Sequence, residues 1–216
     1  MKITYLGHSA FRLEESTGTA VVCDPYDPSV GFKMAEVAAD AVTVSHHHFD
    51  HDYLKGVKGN PVVLDSEQGY ELPGVHINAV KSFHDECQGA KRGENVIFKF
   101  RMDGLDVCHL GDLGEKCSSE LIEAILPVNV LLIPVGGNYT IDAAMAKEYI
   151  DRIMPEIVIP MHYRAKGCTV DIDRADEFLS VMRNAEIEEA GDEIELSRED
   201  MDGVVTRIIV MERRSA

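Results

Sequence analysis

The chain carries its most informative stretch at residues 45–52, with the sequence Ser45-His46-His47-His48-Phe49-Asp50-His51-Asp52. Four histidines and a carboxylate lie within six positions, directly after the apolar run Ala41–Val44. In an extended strand end, side chains at positions i and i+2 point the same way. His46 and His48 should therefore converge on one point, while His47 points away and its imidazole is expected to be satisfied behind the site.

The Asp50-His51 pair predicts a second point of convergence. These two residues are adjacent, so both can reach one centre only if the chain turns there, and the following segment Tyr53–Gly56 predicts a short helix that supplies the turn. Two imidazoles at one point and an Asp–His pair at a neighbouring point form an arrangement for two metal ions. Imidazole and carboxylate ligands without thiolates favour zinc or another first-row transition ion over calcium or magnesium. A solvated loop, a core histidine or an expression tag would explain one histidine, but not this internal pattern after an apolar strand.

The segment resembles the His-x-His-x-Asp-His signature of the metallo-β-lactamase fold superfamily. Five further segments resemble the branch that includes the L-ascorbate-6-phosphate lactonase-like proteins and N-acyl-phosphatidylethanolamine phospholipase D. They are Leu6-Gly7-His8-Ser9, Phe83-His84-Asp85, Gly111-Asp112-Leu113-Gly114, Pro134–Thr140 and Ile159-Pro160-Met161-His162-Tyr163. The resemblance implies an α/β fold, an αββα sandwich of two mixed β-sheets flanked by helices.

The resemblance also implies seven metal ligands in two sites. They are His46, His48 and His84 at the first site, Asp50, His51 and His162 at the second, and Asp112 as a bridge. A carboxylate has two oxygens, so it can bridge two cations and lower their mutual repulsion. The implied cofactor is a pair of divalent ions, with zinc expected and manganese, iron or nickel as alternatives.

Three further polar residues have expected supporting roles. His8 and Asp24 match family positions that orient the metal ligands, a need of such sites. His109 ligates metal in some branches, but here the ligand set is complete with His84. We therefore expect His109 to pack or to hydrogen-bond behind the site.

Length and composition predict one domain, residues 1–216. The chain is 45% hydrophobic and 27% charged, which is typical of a soluble globular protein with a sizeable core. It has no run near the roughly 18 apolar residues of a membrane span, and its N-terminus enters a strand pattern without a signal-peptide core. The five cysteines are scattered and form no Cys-x-x-Cys pair, which favours free thiols in a reducing compartment. A cytoplasmic location is the resulting expectation.

The net charge of −17 restricts the partners. It argues against nucleic acid, whose binding depends on Lys and Arg contacts to phosphates, and against an anionic membrane surface. Two bound dications would make a cleft positive inside a negative molecule, so an anionic substrate fits the sequence. We expect a small-molecule substrate, and a homo-oligomer is compatible with the chain.

Local patterns predict strands that dominate the first part and then alternate with helices. The predicted strands are Lys2–Leu6, Ala10–Glu14, Thr19–Cys23, Ala41–Ser45, Pro61–Leu64, Val75–Val80, Asn95–Arg101, Asp106–Leu110, Val128–Val135, Glu156–Met161, Glu193–Leu196 and Val204–Glu212. Apolar residues at three- and four-residue spacing predict helices over Ser118–Leu126, Ala143–Met154 and Asp173–Asn184. Asp142, and either Asp171 or Asp173, are predicted helix caps.

The expected activity is that of a metal-dependent hydrolase. Two cations that share a water would lower its pKa toward neutrality and hold a hydroxide nucleophile between them. The bond cleaved would be an ester, lactone or phosphoester of a small molecule, with Asp50 and Asp112 as the catalytic carboxylates. Tyr139, Arg164 and Lys166 are the candidate substrate contacts.

Other functions share the fold and stay open. A metal-dependent oxidoreductase or a sulfur dioxygenase is the second hypothesis, although the diiron flavoproteins replace the second histidine of the motif, here His48, with glutamate. A non-catalytic metal-binding protein is the third, although such relatives usually lose ligands. RNA-cleaving members add an exosite arm or a second domain, for which 216 residues leave no room.

Overall fold

The structure, a computed structural model, describes residues 1–201 and 205–216. The strands of the first part are β1 (Lys2–Gly7), β2 (Ala10–Glu14), β3 (Ala20–Cys23), β4 (Val37–Ala38), β5 (Ala41–Thr43), β6 (Val57–Lys58), β7 (Val62–Leu64), β8 (Tyr70–Leu72), β9 (Val75–Phe83), β10 (Glu94–Met102) and β11 (Leu105–His109). Helices and strands then alternate as α1 (Ser119–Ile125), β12 (Val130–Pro134), α2 (Ala143–Ile153), β13 (Ile157–Met161), α3 (Ala175–Val181), β14 (Glu186–Ala190), β15 (Glu193–Glu195) and β16 (Arg207–Met211).

Two large mixed sheets form the centre of the fold. One has six strands in the order β15-β1-β2-β3-β5-β7, and the other has eight in the order β14-β16-β13-β12-β11-β10-β9-β8. Because β1 and β3 both pair antiparallel with β2, and β5 pairs parallel with β3, the strands β1, β3 and β5 run in one direction. In the larger sheet β10 lies antiparallel between β9 and β11, and β12 and β13 continue in parallel. The strands β9, β11 and β13 therefore also share a direction.

The apolar core lies mainly between the two sheets. Ile3 and Phe11 of the six-stranded sheet belong to one buried cluster with Phe98 and Leu132 of the eight-stranded sheet. Alternate strand positions face opposite sides of a sheet, so Leu6, three residues after Ile3, packs on the outer face instead. Each large side chain buried in this way stabilises the fold by roughly 1.5–3 kcal/mol.

The helices cover the outer face of the eight-stranded sheet. The buried residues of α2 are Ala146, Tyr149, Ile150 and Ile153, the three- and four-residue spacing of one helix face. Asp142 caps this helix by accepting a hydrogen bond from the Met145 N–H, so that predicted cap is confirmed. None of the described helices is long and apolar enough to cross a membrane.

The predicted cap of α3 is wrong. This helix begins at Ala175, and the residue before it, Arg174, makes no side-chain cap hydrogen bond. Asp173 instead takes part in backbone hydrogen bonds on both sides, from its N–H to Gly136 O and from the Arg164 N–H to its carbonyl. These bonds hold the chain extended, so the helix starts later than the apolar spacing predicts.

The predicted sandwich class is confirmed, with a thin outer layer on the smaller sheet. In the described residues that layer contains the 3-10 helix Pro28–Val30 and surrounding loop, from which Tyr26, Val30 and Met34 pack on the sheet. The short strands β4, β6, β8 and β14 were not predicted, since two to five residues carry little periodicity. The predicted strand Val204–Glu212 is observed as β16, and Val204 itself lies outside the described residues.

Candidate metal centre

Polar residues follow the carboxyl ends of six strands. Since β1, β3 and β5 share one direction, and β9, β11 and β13 another, each set ends at one edge of its sheet, and the two edges meet. The residues brought together there are His8 after β1, Asp24 after β3, His46 to His51 after β5, His84 after β9, Asp112 after β11 and His162 after β13.

His46, His48 and His84 form the first ligand group. One potential ligand atom from each lies within 4.8 Å of the others. The ring centroids of His46 and His48 are 4.5 Å apart, which is the convergence that i, i+2 spacing predicts. His46 and His84 are buried, whereas His48 is exposed and lines the open cavity.

The second ligand group contains one more histidine than expected. Asp50, His51 and His162 lie together as the resemblance implies, and His8 joins them with its ligand atom within 4.8 Å of theirs. His8 Nε2 lies 3.1 Å from Asp50 Oδ2. His8 was expected only to orient ligands, and no local pattern distinguishes that role from ligation.

Asp112 lies between the two groups. Its Oδ2 is 3.4 Å from His84 Nε2 of the first group and 3.3 Å from His162 Nε2 of the second. Its Oδ1 is 3.1 Å from His51 Nε2. One carboxylate therefore reaches imidazoles of both groups, which is the placement a bridging ligand requires.

Asp24 holds the histidine-rich segment in place. Its Oδ1 accepts a hydrogen bond from the Ser45 backbone N–H at 2.8 Å, and its Oδ2 accepts one from Ser45 Oγ at 2.6 Å. The same Oδ2 lies 2.8 Å from His51 Nδ1. A carboxylate at Nδ1 fixes the imidazole tautomer and leaves Nε2 free to face the cluster. Asp24 therefore positions Ser45 and His51, as the resemblance implies.

Asn95 positions Asp112 and was not identified from sequence. Its Oδ1 accepts a hydrogen bond from the Asp112 N–H at 2.9 Å, and its Nδ2 donates to Ser82 Oγ at 2.7 Å and to Leu110 O at 3.0 Å. This side chain links β9, β10 and the turn after β11. An asparagine inside a strand carries no motif, so only strand pairing shows its role.

The electrostatics of the cluster favour neutral imidazoles beside ionised carboxylates. Burial, with the neighbouring His51, lowers the pKa of His46 to about 3, and burial, with His162, lowers the pKa of His8 to about 4. Burial alone would raise the pKa of Asp112, but His162 and His51 hold it well below its usual value. These are the protonation states that metal ligands need.

His51 differs from the other histidines of the cluster. Burial alone would lower its pKa, but Asp112, Asp50 and Asp24 together raise it well above the usual value. Three buried carboxylates thus require positive charge at this imidazole, and a proton or a metal cation would serve the same electrostatic need.

The donor atoms fit divalent metal ions. His46 Nε2 is buried, as are His51 Nε2 and Asp112 Oδ1, which face each other at 3.1 Å, and none of the three atoms makes a well-aligned hydrogen bond within residues 1–201 and 205–216. A buried polar atom without a partner costs about 1–3 kcal/mol, which a coordinate bond would offset. Imidazole nitrogens and carboxylate oxygens without a thiolate match zinc and its first-row neighbours. The five cysteines, all free, lie outside the described ligand groups.

Three residues of the site adopt left-handed backbone conformations. The φ angles are 54° at His8, 42° at Asp24 and 50° at His162. Such conformations cost on the order of 1–3 kcal/mol each in residues other than glycine and cluster at functional sites. The His162 N–H donates to His8 O at 2.9 Å, so the two strained strand ends support each other.

Gly136 provides the close approach that His162 needs. A Cβ added at Gly136 would lie 2.1 Å from the carbonyl oxygen of His162, inside van der Waals contact. Gly136 is thus required by the backbone of a candidate ligand, which gives the Gly136-Gly137 pair of the sequence a physical role.

The substitution Gly136→Ala should therefore displace His162. We expect the free energy of unfolding to fall by roughly 1–3 kcal/mol, the usual cost of an inserted methyl group, with weaker metal binding in the second group. Thermal unfolding and metal titration of the purified variant measure both effects. Gly191→Ala is the matched control, because a Cβ there meets nothing within 4 Å. Equal melting temperatures and metal affinities for the two variants would contradict the expectation.

Three of the nine histidines, His47, His76 and His109, lie outside the ligand groups. His109 Nε2 donates to Ser9 O at 2.8 Å, so the expected hydrogen bond behind the site is confirmed. His47 was expected to be satisfied behind the site, and this is wrong. Its side chain is 67% exposed, with nitrogens 3.6 Å from carboxylate oxygens of Asp52 and Asp65.

A cavity of about 550 Å³ opens over both ligand groups. Tyr139 lines it, in agreement with its predicted place near the substrate. Arg164 and Lys166 are not among the lining residues, and Arg164 instead pairs with Asp171 at 2.8 Å. The cations that line the cavity are Lys91 and Arg92, which no sequence motif marks.

The chain resembles known proteins of one superfamily over most of its length. A profile of the family described as beta-lactamase superfamily domain matches residues 2–162. A UPF0173 metal-dependent hydrolase from Carboxydothermus hydrogenoformans is 30% identical over 198 residues, covering 76% of this chain and 84% of that protein. One from Archaeoglobus fulgidus is 32% identical over 195 residues, covering 76% and 83%. The crystal structure of a Thermotoga maritima protein of the metallo-β-lactamase superfamily is 38% identical, with a TM-score of 0.81 and 99% of both chains covered.

The family match covers the segments on which the resemblance rests, from Leu6 to His162. The same segments supply the residues of both ligand groups. With its relatives that are named metal-dependent hydrolases, this chain belongs to the metallo-β-lactamase superfamily.

Proposed function

We propose that the protein is a binuclear metal-dependent hydrolase that cleaves an ester, lactone or phosphoester bond of a small molecule. The observation that carries the proposal is the position of Asp112, whose carboxylate lies within 3.4 Å of imidazole nitrogens in both ligand groups. A site for one ion would need only one of these groups.

The proposed ligands divide between two ions. His46, His48 and His84 would hold the first, and Asp50, His51 and His162 the second, with Asp112 shared. The position of His8 beside Asp50 supports a further role for it at the second ion. The donor set supports zinc, with manganese, iron or nickel as alternatives.

The side chains of the site have distinct tasks in the proposed reaction. Bound divalent ions lower the pKa of a coordinated water and polarise the substrate oxygen. Asp50 lines the cavity, and although burial alone would raise its pKa, His51 and His8 hold it below the usual value. It therefore stays anionic and can accept a hydrogen bond that orients the attacking water. His8 Nε2, 3.1 Å from Asp50 Oδ2, helps to keep this carboxylate in place.

The size of the cavity supports a small-molecule substrate. Its volume of about 550 Å³ lies within the range of roughly 300–1,000 Å³ that is typical of small-molecule sites. The candidate ligands line one part of it, so a bound substrate would meet the metal cluster directly.

Metal analysis with an activity screen tests the proposed function. The purified protein, before and after loading with zinc, manganese, iron or nickel, is assayed by mass spectrometry for bound metal. Each form is then tested with chromogenic esters, lactones and phosphodiesters, and for O₂ consumption. We expect about two ions per chain and metal-dependent hydrolysis. One ion at saturation would disprove the binuclear site, and O₂ consumption without hydrolysis would favour an oxidoreductase.

A further inference from the structure

We propose that Arg92 forms an oxyanion subsite in the cavity, which selects substrates carrying a carboxylate or phosphate group away from the bond that is cleaved. The inference rests on the proposed hydrolase function and adds a substrate class to it. Its basis is one cavity that holds the candidate metal cluster and an arginine without an acidic partner among the described residues.

The charge of Arg92 is available to a ligand. Its guanidinium donates one hydrogen bond, at 3.0 Å, to the backbone carbonyl of Asn138, and its Cζ lies 5.6 Å from the ring centroid of Tyr139. Within residues 1–201 and 205–216 no carboxylate oxygen lies within 4.0 Å of it. The neighbouring Lys91 is paired with Glu86, so it is neutralised.

An arginine without an acidic partner is unusual in a protein with such an excess of acidic residues. The chain has 38 acidic and 21 Lys or Arg residues, so carboxylates are available to pair with surface cations. An arginine that lines a cavity and lacks such a partner keeps its attraction for an anionic ligand. Arginine also presents a planar set of donors that matches carboxylate and phosphate oxygens in pairs.

The backbone fixes Arg92 relative to the metal cluster. Asp85, next to the candidate ligand His84, is fully buried, and its Oδ2 accepts hydrogen bonds from the Lys91 and Arg92 backbone N–H groups at 2.8 Å. Its Oδ1 accepts two more, at 2.9 Å, from Cys87 and Gly89. One carboxylate therefore ties the loop that carries the arginine to the strand end that carries the ligand.

A second loop holds the Arg92 side chain from the other side. Asn138, whose carbonyl accepts the guanidinium hydrogen bond, is anchored by its own Nδ2, which donates to Asp171 O at 2.6 Å. The Arg92 guanidinium also lies over the Tyr139 ring, a cation–π contact that favours this position of the side chain. The subsite is thus built by loops that are joined before a ligand binds, which lowers the ordering cost of binding.

The cavity also offers apolar surface for the part of a substrate between its two ends. Phe49, 55% exposed, and Val170 line the same cavity as Arg92 and the ligand groups. The one other acid away from the ligand groups that lines the described cavity is Asp171, and it is paired with Arg164. A matching substrate would place its reactive bond at the metals, an apolar spacer against Phe49 and Val170, and a terminal oxyanion at Arg92.

A charge-matched pair of esters tests the subsite. The zinc-loaded protein is assayed with mono-4-nitrophenyl glutarate, its terminal phosphonate analogue and the neutral 4-nitrophenyl pentanoate. For the wild type, kcat/KM should be about 10-fold or more higher for at least one anionic ester than for the neutral ester, mainly because KM is lower. A factor of this size corresponds to one charge-assisted hydrogen bond. Comparison of the two anions distinguishes a carboxylate from a phosphate-like group.

Variants assign the preference to Arg92. Arg92→Gln keeps an amide donor for Asn138 but removes the charge, and it should abolish the preference, whereas Arg92→Lys should keep part of it. Arg101→Gln, on β10 and outside the cavity lining, makes the same charge change and is the matched control. A preference that is absent in the wild type, or that survives Arg92→Gln, would overturn the proposal.

A binding measurement separates this inference from the proposed function. Calorimetric titration with the amides N-phenylglutaramate and N-phenylpentanamide needs no turnover. We expect the wild type, but not Arg92→Gln, to bind the anionic amide about 10-fold more tightly. If the protein binds the anionic amide more tightly but hydrolyses no ester, the subsite proposal stands and the proposed hydrolase function is wrong. Equal binding of both amides by the wild type would reject the subsite alone.

Discussion

Replacement of Asp112 by asparagine is expected to lower the metal content from about two ions per chain toward one. The rate of hydrolysis should fall by more than about 100-fold, because mutation of a residue that only orients a metal ligand already lowers affinity or activity by about 10–100-fold. The amide removes the negative charge between two dications and is a poorer ligand. The second ion should leave first, because it loses one of its two carboxylates, whereas the first keeps three histidines.

The measurement combines metal analysis at fixed free zinc with steady-state kinetics and circular dichroism. Asp151→Asn removes a carboxylate from an exposed ion pair with Lys147 and is the matched control, with wild-type metal content and rates. The fold of Asp112→Asn should survive, because the Asp112 backbone N–H still donates to Asn95. Full metal content together with full activity in Asp112→Asn would refute the bridge.

Removal of the metals is expected to lower the melting temperature by roughly 10–20 °C. Each of the two proposed ions, present at 100 times its dissociation constant, contributes about 2.7 kcal/mol, and each kcal/mol shifts the melting temperature of a chain of this size by about 2–4 °C. The structural reason is the concentration of Asp24, Asp50 and Asp112 around buried imidazoles. Without cations these buried carboxylates repel one another.

Scanning calorimetry before and after chelation, with metal analysis of both samples, measures this shift. Chelator that is already saturated with zinc controls for effects of the chelator itself, and added zinc should restore the original melting temperature. Asp112→Asn should show a smaller shift, because it has less metal to lose. A melting curve that does not change after verified removal would show that the fold is independent of the metals.

The sequence determined the local features of this protein. The alternation of apolar and polar residues, together with apolar runs, predicted β2 over its full observed range, Ala10–Glu14. It also predicted most other long strands to within a few residues of their observed bounds. The i, i+2 spacing of His46 and His48 predicted their convergence, and the two rings do lie together. These features depend on residues close together in the chain, where backbone geometry relates sequence position directly to direction.

Family resemblance extended the prediction to residues that local geometry could not connect. His84, Asp112 and His162 each end a strand, and nothing in their own surroundings shows that they face one point. The resemblance implied that they join the histidine-rich segment, and the structure places them there. Their roles as ligands stay predictions, which the metal analyses above test.

Only the tertiary structure decided which other side chains share the site. His8 enters the second ligand group, Asn95 holds the turn of Asp112, and Arg92 lines the cavity instead of the predicted Arg164. Each of these residues is placed by the pairing and direction of strands, or by loops bonded to strand ends. Sequence periodicity determines the face on which a side chain lies, but the neighbours of a strand end depend on which strands pair across the whole chain.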